Sequence, residues 1–265
     1  MNSTIYTINK RTSLRKFSSV KVSKEDMDTI INSALRAPTA GNMMFYSIIK
    51  VENKNTLEKL SVSCDNQPFI KSASFALIFL VDYQKMYDYF AHSNYFSYCK
   101  EQGVTPEFPE LSDLLLGSED AMCAAQNSVI AAESLGIGSC YIGDIIENYE
   151  LHKELFNLQK LTFPLSMLVF GNCPEDYKPQ TRGRFDRKFV VFEEQYSKLE
   201  GTDLLEMFSN QESKFDENNT VGAKNYAQLI YSRKFGSEFS KEMKRSVNVA
   251  FKEWLSYKDE QMKFY

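Results

Sequence analysis

The sequence predicts an α+β layer fold, in which strands and helices share a core without strict alternation. Two apolar runs, FALIFLV at 75–81 and PLSMLVFG at 164–171, are typical of strands buried between layers. The alanine-rich segment at 118–136 has the period of a buried helix. Beyond about residue 200, only helical signals remain.

The composition is that of a globular protein. Of 265 residues, 43% are hydrophobic and 25% are charged, with a net charge of −4. We expect no nucleic-acid surface, because that function needs a strongly basic domain. The longest apolar run is far shorter than the roughly 20 residues of a membrane span, and the first residues do not resemble a signal peptide. We therefore expect a cytoplasmic protein that binds no membrane.

Cysteine and histidine are too few and too scattered to suggest a metal site. Five cysteines occur without any C-x-x-C pair, and the two histidines, His92 and His152, have no motif around them. We expect buried thiols, no disulfide framework and no metal. For the histidines we expect surface or capping roles, and no Ser-His-Asp triad is recognisable.

The first half of the chain predicts alternating helices and strands. Ser23 has the form of a helix cap, and the helix it begins ends near Arg36, before Pro38. A loop, APTAGNMM, then leads into a strand, FYSIIKV, from Phe45. A short helix at 56–63, the buried strand at 75–81 and a helix at 84–99 follow.

The second half begins with a helix that presents a stripe of small residues for close packing. The stripe comprises Ala121, Ala124, Ala125, Ser128, Val129 and Ala132. A glycine-rich turn, GIGSCYIGD, leads to a helix from about Asn148 and to the strand at 164–171. A polar loop at 172–188 precedes a closing strand, KFVVFEEQY. We expect one domain at 1–200 and a helical extension at 201–265.

Two basic segments have polar or cationic side chains at alternate positions. In an extended stretch, Arg11, Ser13 and Arg15 would point to the same side and could clamp a phosphate. Arg182 and Arg184 flank a glycine in the polar loop. Each segment can also be interpreted as solvated surface charge. Neither a Walker loop nor a correctly placed G-x-G-x-x-G is present.

In combination, these segments resemble the FMN-dependent nitroreductase family, especially its larger, NADPH-preferring flavin reductases. RTSLRKF resembles the family's amino-terminal box, and APTAGN resembles its A-P-S-S-x-N loop. The segment from AMCAAQNSVIAAESLG to CYIGDI is similar to its central helix and following turn. PLSMLVFGNCPED and the arginine loop resemble its last strand and the segment after it. The resemblance covers roughly residues 8–196 and implies a mixed sheet flanked by helices in an intertwined homodimer.

The resemblance implies a set of cofactor-binding residues. The residues that would bind FMN are Arg11, Thr12, Ser13, Arg15, Pro38, Thr39, Asn42, Gln67, Tyr141, Ile142, Gly143, Arg182 and Arg184. A backbone amide at Gly143 or Asp144 would face N5, so that no side chain is catalytic. Arg233 and Lys234, or Lys244 and Arg245, are candidates for the NADPH 2′-phosphate or for a solvated helix face.

Three positions depart from the family pattern. Ala40 and Met44 replace polar residues of the loop, and Asp144 replaces the second glycine of Y-I-G-G. Asp144 is interpreted either as a change of specificity or as a helix cap.

The resemblance further implies ping-pong hydride transfer from NADPH or NADH through FMN to a small acceptor, such as a nitroaromatic, a quinone or a flavin. The alternatives are a non-catalytic flavin-binding or redox-sensing protein on the same fold, and a flavin-free module that binds an anionic partner.

Overall fold

The computed structural model describes residues 2–262. Its helices are α1 (Ser3–Lys10), α2 (Lys24–Ala34), α3 (Lys54–Ser63), α4 (Gln84–His92), α5 (Tyr95–Gln102), α6 (Leu111–Ser134), α7 (Tyr149–Phe156), α8 (Gly201–Glu212), α9 (Tyr226–Lys234) and α10 (Glu238–Gln261). Its strands are β1 (Tyr46–Val51), β2 (Phe75–Asp82), β3 (Ile137–Ile142) and β4 (Thr162–Asn172). The predicted α+β class is confirmed. Residues 263–265 of the predicted extension lie outside the described residues.

The chain forms two compact units. The first comprises residues 1–180 and 242–265, and the second comprises residues 181–241. The first unit contains a four-stranded sheet in the order β1-β2-β4-β3, with each neighbouring pair antiparallel. A single parallel bridge joins Ser13 to Ser139 on β3.

Strand β2 is apolar from Phe75 to Val81 because both of its faces are covered. Phe75, Leu77 and Phe79 share a core cluster with the small residues of α6 and with Met27 and Ile30 of α2. The alternate residues Ala76, Ile78 and Leu80 lie in a second cluster, which also contains residues of α3. Alternate side chains of β2 thus point to opposite faces of the sheet, and each set packs against a different group of helices.

Residues 242–261 of α10 pack within the first unit. Trp254 is 2% exposed, belongs to a third apolar cluster, and donates its indole N–H to the carbonyl oxygen of Glu110 at 3.2 Å. Arg245 forms two hydrogen bonds with the Glu150 carboxylate, at 2.7 and 2.9 Å. These bonds hold the pKa of Glu150 down at about 2.

Three local predictions were wrong, and one helix was missed. GIGSCYIGD is mainly strand β3, since its residues pair with β4. KFVVFEEQY forms no strand, and its first two residues belong to a short helical turn at Arg187–Phe189. The helix at 84–99 is divided into α4 and α5 by the left-handed residue Asn94. Helix α1, capped by the Asn2 side chain, was not predicted at all.

Candidate functional site

Residues 11–17 form an arm that is docked on strand β3. The Leu14 amide donates to the Ser139 carbonyl oxygen at 2.9 Å. Leu14 and Phe17 are buried, with exposures of 2% and 9%. Backbone pairing and burial together fix the segment as extended chain, so Arg11, Ser13 and Arg15 occupy alternate positions along it.

Two glycines give the arm room to approach the sheet. A Cβ atom on Gly138 would lie 2.3 Å from Leu14 Cδ2 and 2.8 Å from Leu14 Cβ. On Gly171, it would lie 2.6 Å from Phe17 Cδ1. The close approach explains glycine at both positions of the β3–β4 pair, where another residue would push the arm outward.

The arginines of the arm lie close enough to two buried groups, Glu133 and Cys140, to affect their pKa values. Burial raises the pKa of Glu133, and the nearby Arg11 guanidinium partly opposes that rise. Burial also raises the pKa of the Cys140 thiol, opposed first by Arg15. Within the part of the chain that the structure describes, neither arginine lies within 4 Å of a carboxylate oxygen in an ion pair. The arm therefore presents two guanidinium groups that remain available to an anion.

The loop between α2 and β1 has an unusual backbone. Gly41, Asn42 and Met44 have φ of 55°, 59° and 52°, in the left-handed region. The buried carboxylate of Asp120 on α6 accepts from the Ala40 amide at 2.8 Å and from the Phe45 amide at 3.1 Å. One side chain thus ties down both ends of the strained loop, in which Pro38, Thr39 and Asn42 are the predicted site residues.

Gln67 and Asp144 are brought together, although 77 residues separate them. Gln67 Nε2 donates to Asp144 Oδ2 at 2.8 Å and to the Cys64 carbonyl oxygen at 3.1 Å.

Strand β3 carries Tyr141 and Ile142 and leads directly into a short helical turn at Gly143–Ile146. The first amides of such a turn have no acceptor within it, so those of Gly143 and Asp144 can serve a ligand.

Glu147, beside this turn, is a buried carboxyl group that the sequence did not indicate. It is 5% exposed, and its Oε1 has no hydrogen-bond partner among the described residues. Burial, followed by the carboxylates of Asp144, Asp65 and Glu242, raises its pKa to about 7. This group therefore titrates near neutral pH.

His152 is completely buried, which corrects the expected surface or capping role. Its Nδ1 lies 2.8 Å from the Ile145 carbonyl oxygen, and its Nε2 lies 2.8 Å from Ser63 Oγ. Burial lowers its pKa. Both ring nitrogens have partners, and we assign this residue a structural role in joining α7 to α3.

Arg182 and Arg184 belong to the second unit and are exposed. Arg184 Nη1 donates to the carbonyl oxygens of Arg182 and Gly183, at 3.2 and 3.4 Å. Also in this unit, Arg233 lines a cavity of about 470 Å³ together with Lys214 and Tyr226. Lys234 Nζ lies 5.9 Å from the centre of the Phe239 ring.

The described residues contain neither a membrane-spanning helix nor a cluster of metal ligands. No helix there is long and apolar enough to cross a membrane. No cluster of three or more His, Cys, Asp or Glu side chains there could hold a metal ion.

Comparison with known proteins gives matches across most of the chain. The family model described as the nitroreductase family matches residues 8–172. The NADPH-flavin oxidoreductase of Vibrio harveyi is 32% identical over 206 residues, which are 77% of this chain and 79% of that protein. The FMN reductase [NAD(P)H] of Bacillus subtilis is 30% identical over 235 residues, which are 88% and 91% of the two chains.

Solved structures give the same picture of the fold. Nitroreductase A from Vibrio parahaemolyticus has a TM-score of 0.76 at 28% identity, covering 95% of this chain and 98% of that one. The NADPH:FMN oxidoreductase of Vibrio harveyi, solved with NAD⁺, has a TM-score of 0.76 at 26% identity, covering 94% and 98%.

Proposed function

The chain belongs to the nitroreductase family, and from this premise we infer that it is an FMN-dependent oxidoreductase that takes hydride from NAD(P)H. The observation that carries the inference is the docked arm, which lies within the matched region and offers Arg11 and Arg15 to an anion. Related proteins named for NADPH, FMN and flavin reduction support the same cofactor pair.

The residues present fit FMN by their chemistry. A phosphate calls for guanidinium and hydroxyl donors, which Arg11, Ser13 and Arg15 supply at alternate positions of the arm. A flat ring needs clearance and fixed polar contacts at its edge. A Cβ atom on Gly143 would meet nothing within 4 Å, and the half-buried amide of Gln67 lies beside the same turn.

We assign the FMN phosphate to the arm, and Arg182 and Arg184 are added to this assignment by the resemblance of the sequence alone. Contacts to the rest of FMN are assigned to Thr12, Pro38, Thr39, Asn42, Gln67, Tyr141, Ile142 and Gly143. The buried Asp120 supports this set by shaping the loop that carries Pro38, Thr39 and Asn42. Arg233 and Lys234 are assigned to the NADPH 2′-phosphate, supported by the cavity of about 470 Å³ that Arg233 and Lys214 line together with one acid, Asp216. Functionally, residues 1–200 then hold FMN, and residues 201–265 carry determinants for the nicotinamide.

When bound, FMN supplies an atom, N5, that accepts hydride and a ring that passes two electrons onward. The chain's contribution is to orient and to bind. The amide of Gly143 or Asp144 offers a fixed donor toward N5, and no titrating side chain is needed at that atom. NAD(P)H and a small acceptor, such as a nitroaromatic, a quinone or a flavin, occupy the same place in turn.

The protein is proposed to act as a homodimer in the cytoplasm, without metal, nucleic acid or membrane. Leu111, Leu115 and Leu116 at the start of α6 are 40%, 68% and 40% exposed, an apolar surface that a second copy would cover. The cytoplasm is where NAD(P)H is continuously regenerated. Sedimentation velocity would show a dimer, and a monomer across micromolar concentrations would contradict this part of the proposal.

Anaerobic absorbance spectroscopy tests the enzymatic assignment. The yellow FMN-loaded protein should bleach on adding NADPH or NADH and should regain its colour on adding a quinone or a nitrofuran. Bound FMN that does not bleach would favour a flavin-binding or redox-sensing role instead. A colourless protein that takes up no FMN would refute both roles and favour a flavin-free module.

A further inference from the structure

The Gln67 side chain is restricted to one orientation by the atoms around its nitrogen. Nε2 carries two hydrogens, and its partners are a carboxylate oxygen of Asp144 and the carbonyl oxygen of Cys64. Both partners only accept hydrogen bonds, so the nitrogen must face them. Exchanging N and O in this amide would place three acceptor oxygens against one another.

The backbone around Gln67 is fixed by its own hydrogen bonds. Asp65 and Asn66, which precede it, are left-handed, with φ of 54° and 49°. The Asn66 amide donates to the Val62 carbonyl oxygen at 3.3 Å, and the Ile70 amide donates to that of Gln67 at 3.1 Å. The turn therefore holds the Gln67 main chain, while Asp144 holds the side chain.

Only the acceptor atom Oε1 of Gln67 is then left for a ligand, since no donor reaches it among the described residues. The pyrimidine edge of oxidised FMN presents two carbonyl oxygens and one donor, the N3–H group. A glutamine side chain that is free to rotate can donate to a flavin carbonyl oxygen or accept from the N3–H group. A glutamine side chain that is held by Asp144 can only accept, so its one possible partner on this edge is the N3–H group.

We propose that Asp144 is a positioning residue that locks the Gln67 amide with Oε1 outward, so that this site selects flavins carrying a hydrogen on N3. The proposal rests on the proposed function, because it takes FMN as the ligand. It gives the aspartate that replaces a glycine of the family pattern a specific role in cofactor recognition. The role of a mere helix cap would leave Gln67 free to rotate.

The test compares FMN with 3-methyl-FMN, in which a methyl group replaces the N3 hydrogen. Flavin-fluorescence titrations of the flavin-stripped full chain should show FMN bound at least about tenfold more tightly, as expected for an acceptor left unpaired. In Asp144→Gly, Gln67 can rotate or move aside, and the preference should fall below about threefold. Asp144→Asn can turn either its oxygen or its NH₂ toward Gln67, so it should give a preference between those of the unmodified protein and Asp144→Gly. Asp28→Asn, which removes an exposed carboxylate on α2, should match the unmodified protein.

A flavin-independent measurement accompanies the titration. In the flavin-stripped protein, the side-chain NH₂ of Gln67 should exchange slowly with solvent by ¹⁵N NMR, and Asp144→Gly should abolish that protection. Equal binding of the two flavins, or an undiminished preference in Asp144→Gly, would overturn the proposal while FMN binding itself stood. Failure of the unmodified protein to bind FMN would overturn the proposed function and this inference with it.

Discussion

The arm at residues 11–17 and the loop at residues 181–185 have similar sequences but differ in how they are held. Both carry two arginines an even number of residues apart, four in R-T-S-L-R and two in R-G-R, so that an extended chain would point each pair to one side. The arm pairs with Ser139 and buries Leu14 and Phe17, whereas every residue of the loop is exposed. The arginine pattern alone therefore does not specify a rigid binding segment. The apolar residues between the cations decide whether the cations have a fixed position.

The largest effect should come from removing the apolar anchor of the arm. Leu14→Ala should lower the free energy of unfolding by about 2–5 kcal/mol, since it empties a fully packed position. Urea denaturation of the flavin-stripped protein measures this change. Val190→Ala, at a position that is 61% exposed beyond the loop, is the control and should change the free energy by less than about 0.5 kcal/mol. Equal effects would remove the proposed difference between the regions.

The second-largest effect should come from removing the Arg15 guanidinium, which the arm holds in place. Arg15→Ala should weaken FMN binding by about 1.5–3 kcal/mol, or roughly 10- to 150-fold, because a charge-assisted contact to phosphate is lost. Fluorescence titration gives the dissociation constant. Lys16→Ala removes the neighbouring cation, which instead lies 3.6 Å from an Asp176 carboxylate oxygen, and should change affinity little. A similar loss in both variants would indicate a general charge effect rather than a positioned arginine.

A matched pair of glycines tests the close approach of the arm. Gly138→Ala places a methyl group against Leu14 and should cost about 1–3 kcal/mol of stability through overpacking, with weaker FMN binding as the arm shifts. Gly183→Ala, where an added Cβ meets nothing within 4 Å, should be nearly neutral. Thermal and urea unfolding of both variants provide the measurement. A neutral Gly138→Ala would show that the arm adjusts without strain.

The smallest expected effect belongs to the exposed loop. Arg184→Ala should weaken FMN binding by less than about 1 kcal/mol, since its guanidinium is solvated and already donates to carbonyl oxygens of its own loop. The same titration as for Arg15→Ala allows direct comparison. An equally large loss would show that the loop becomes ordered around the phosphate and contributes as much as the arm.

The spacing of apolar residues was enough to predict those helices and strands that are buried on packed faces. Strand β2 and helix α6 were predicted because their apolar and small residues face packed layers. Strand β3 was missed because the glycines in and beside it were interpreted as turn residues, whereas Gly138 within the strand makes room for Leu14. KFVVFEEQY has strand-forming residues, but Val190 and Val191 are exposed and no strand of the described residues pairs with it. Propensity without a partner was not enough.

Polar residues that support the site were harder to predict than those proposed to contact FMN. Arg11, Ser13 and Arg15 stand out as a motif, but Asp120 is a single acid on the small-residue face of α6. Its position on that buried face, near Ala121 and Ala124, was the available signal. Glu147 gave no such signal, because its burial depends on how the turn after β3 packs.

The Asp120 carboxylate makes the loop between α2 and β1 depend on helix α6, so these two distant stretches of sequence must be kept together. A chimaera of two relatives joined anywhere between positions 45 and 120 would combine the loop of one parent with the helix of the other. Unless that helix also supplied an acid at position 120, the amides of Ala40 and Phe45 would lose their shared acceptor. Anyone transplanting this loop into another scaffold must therefore carry over both segments.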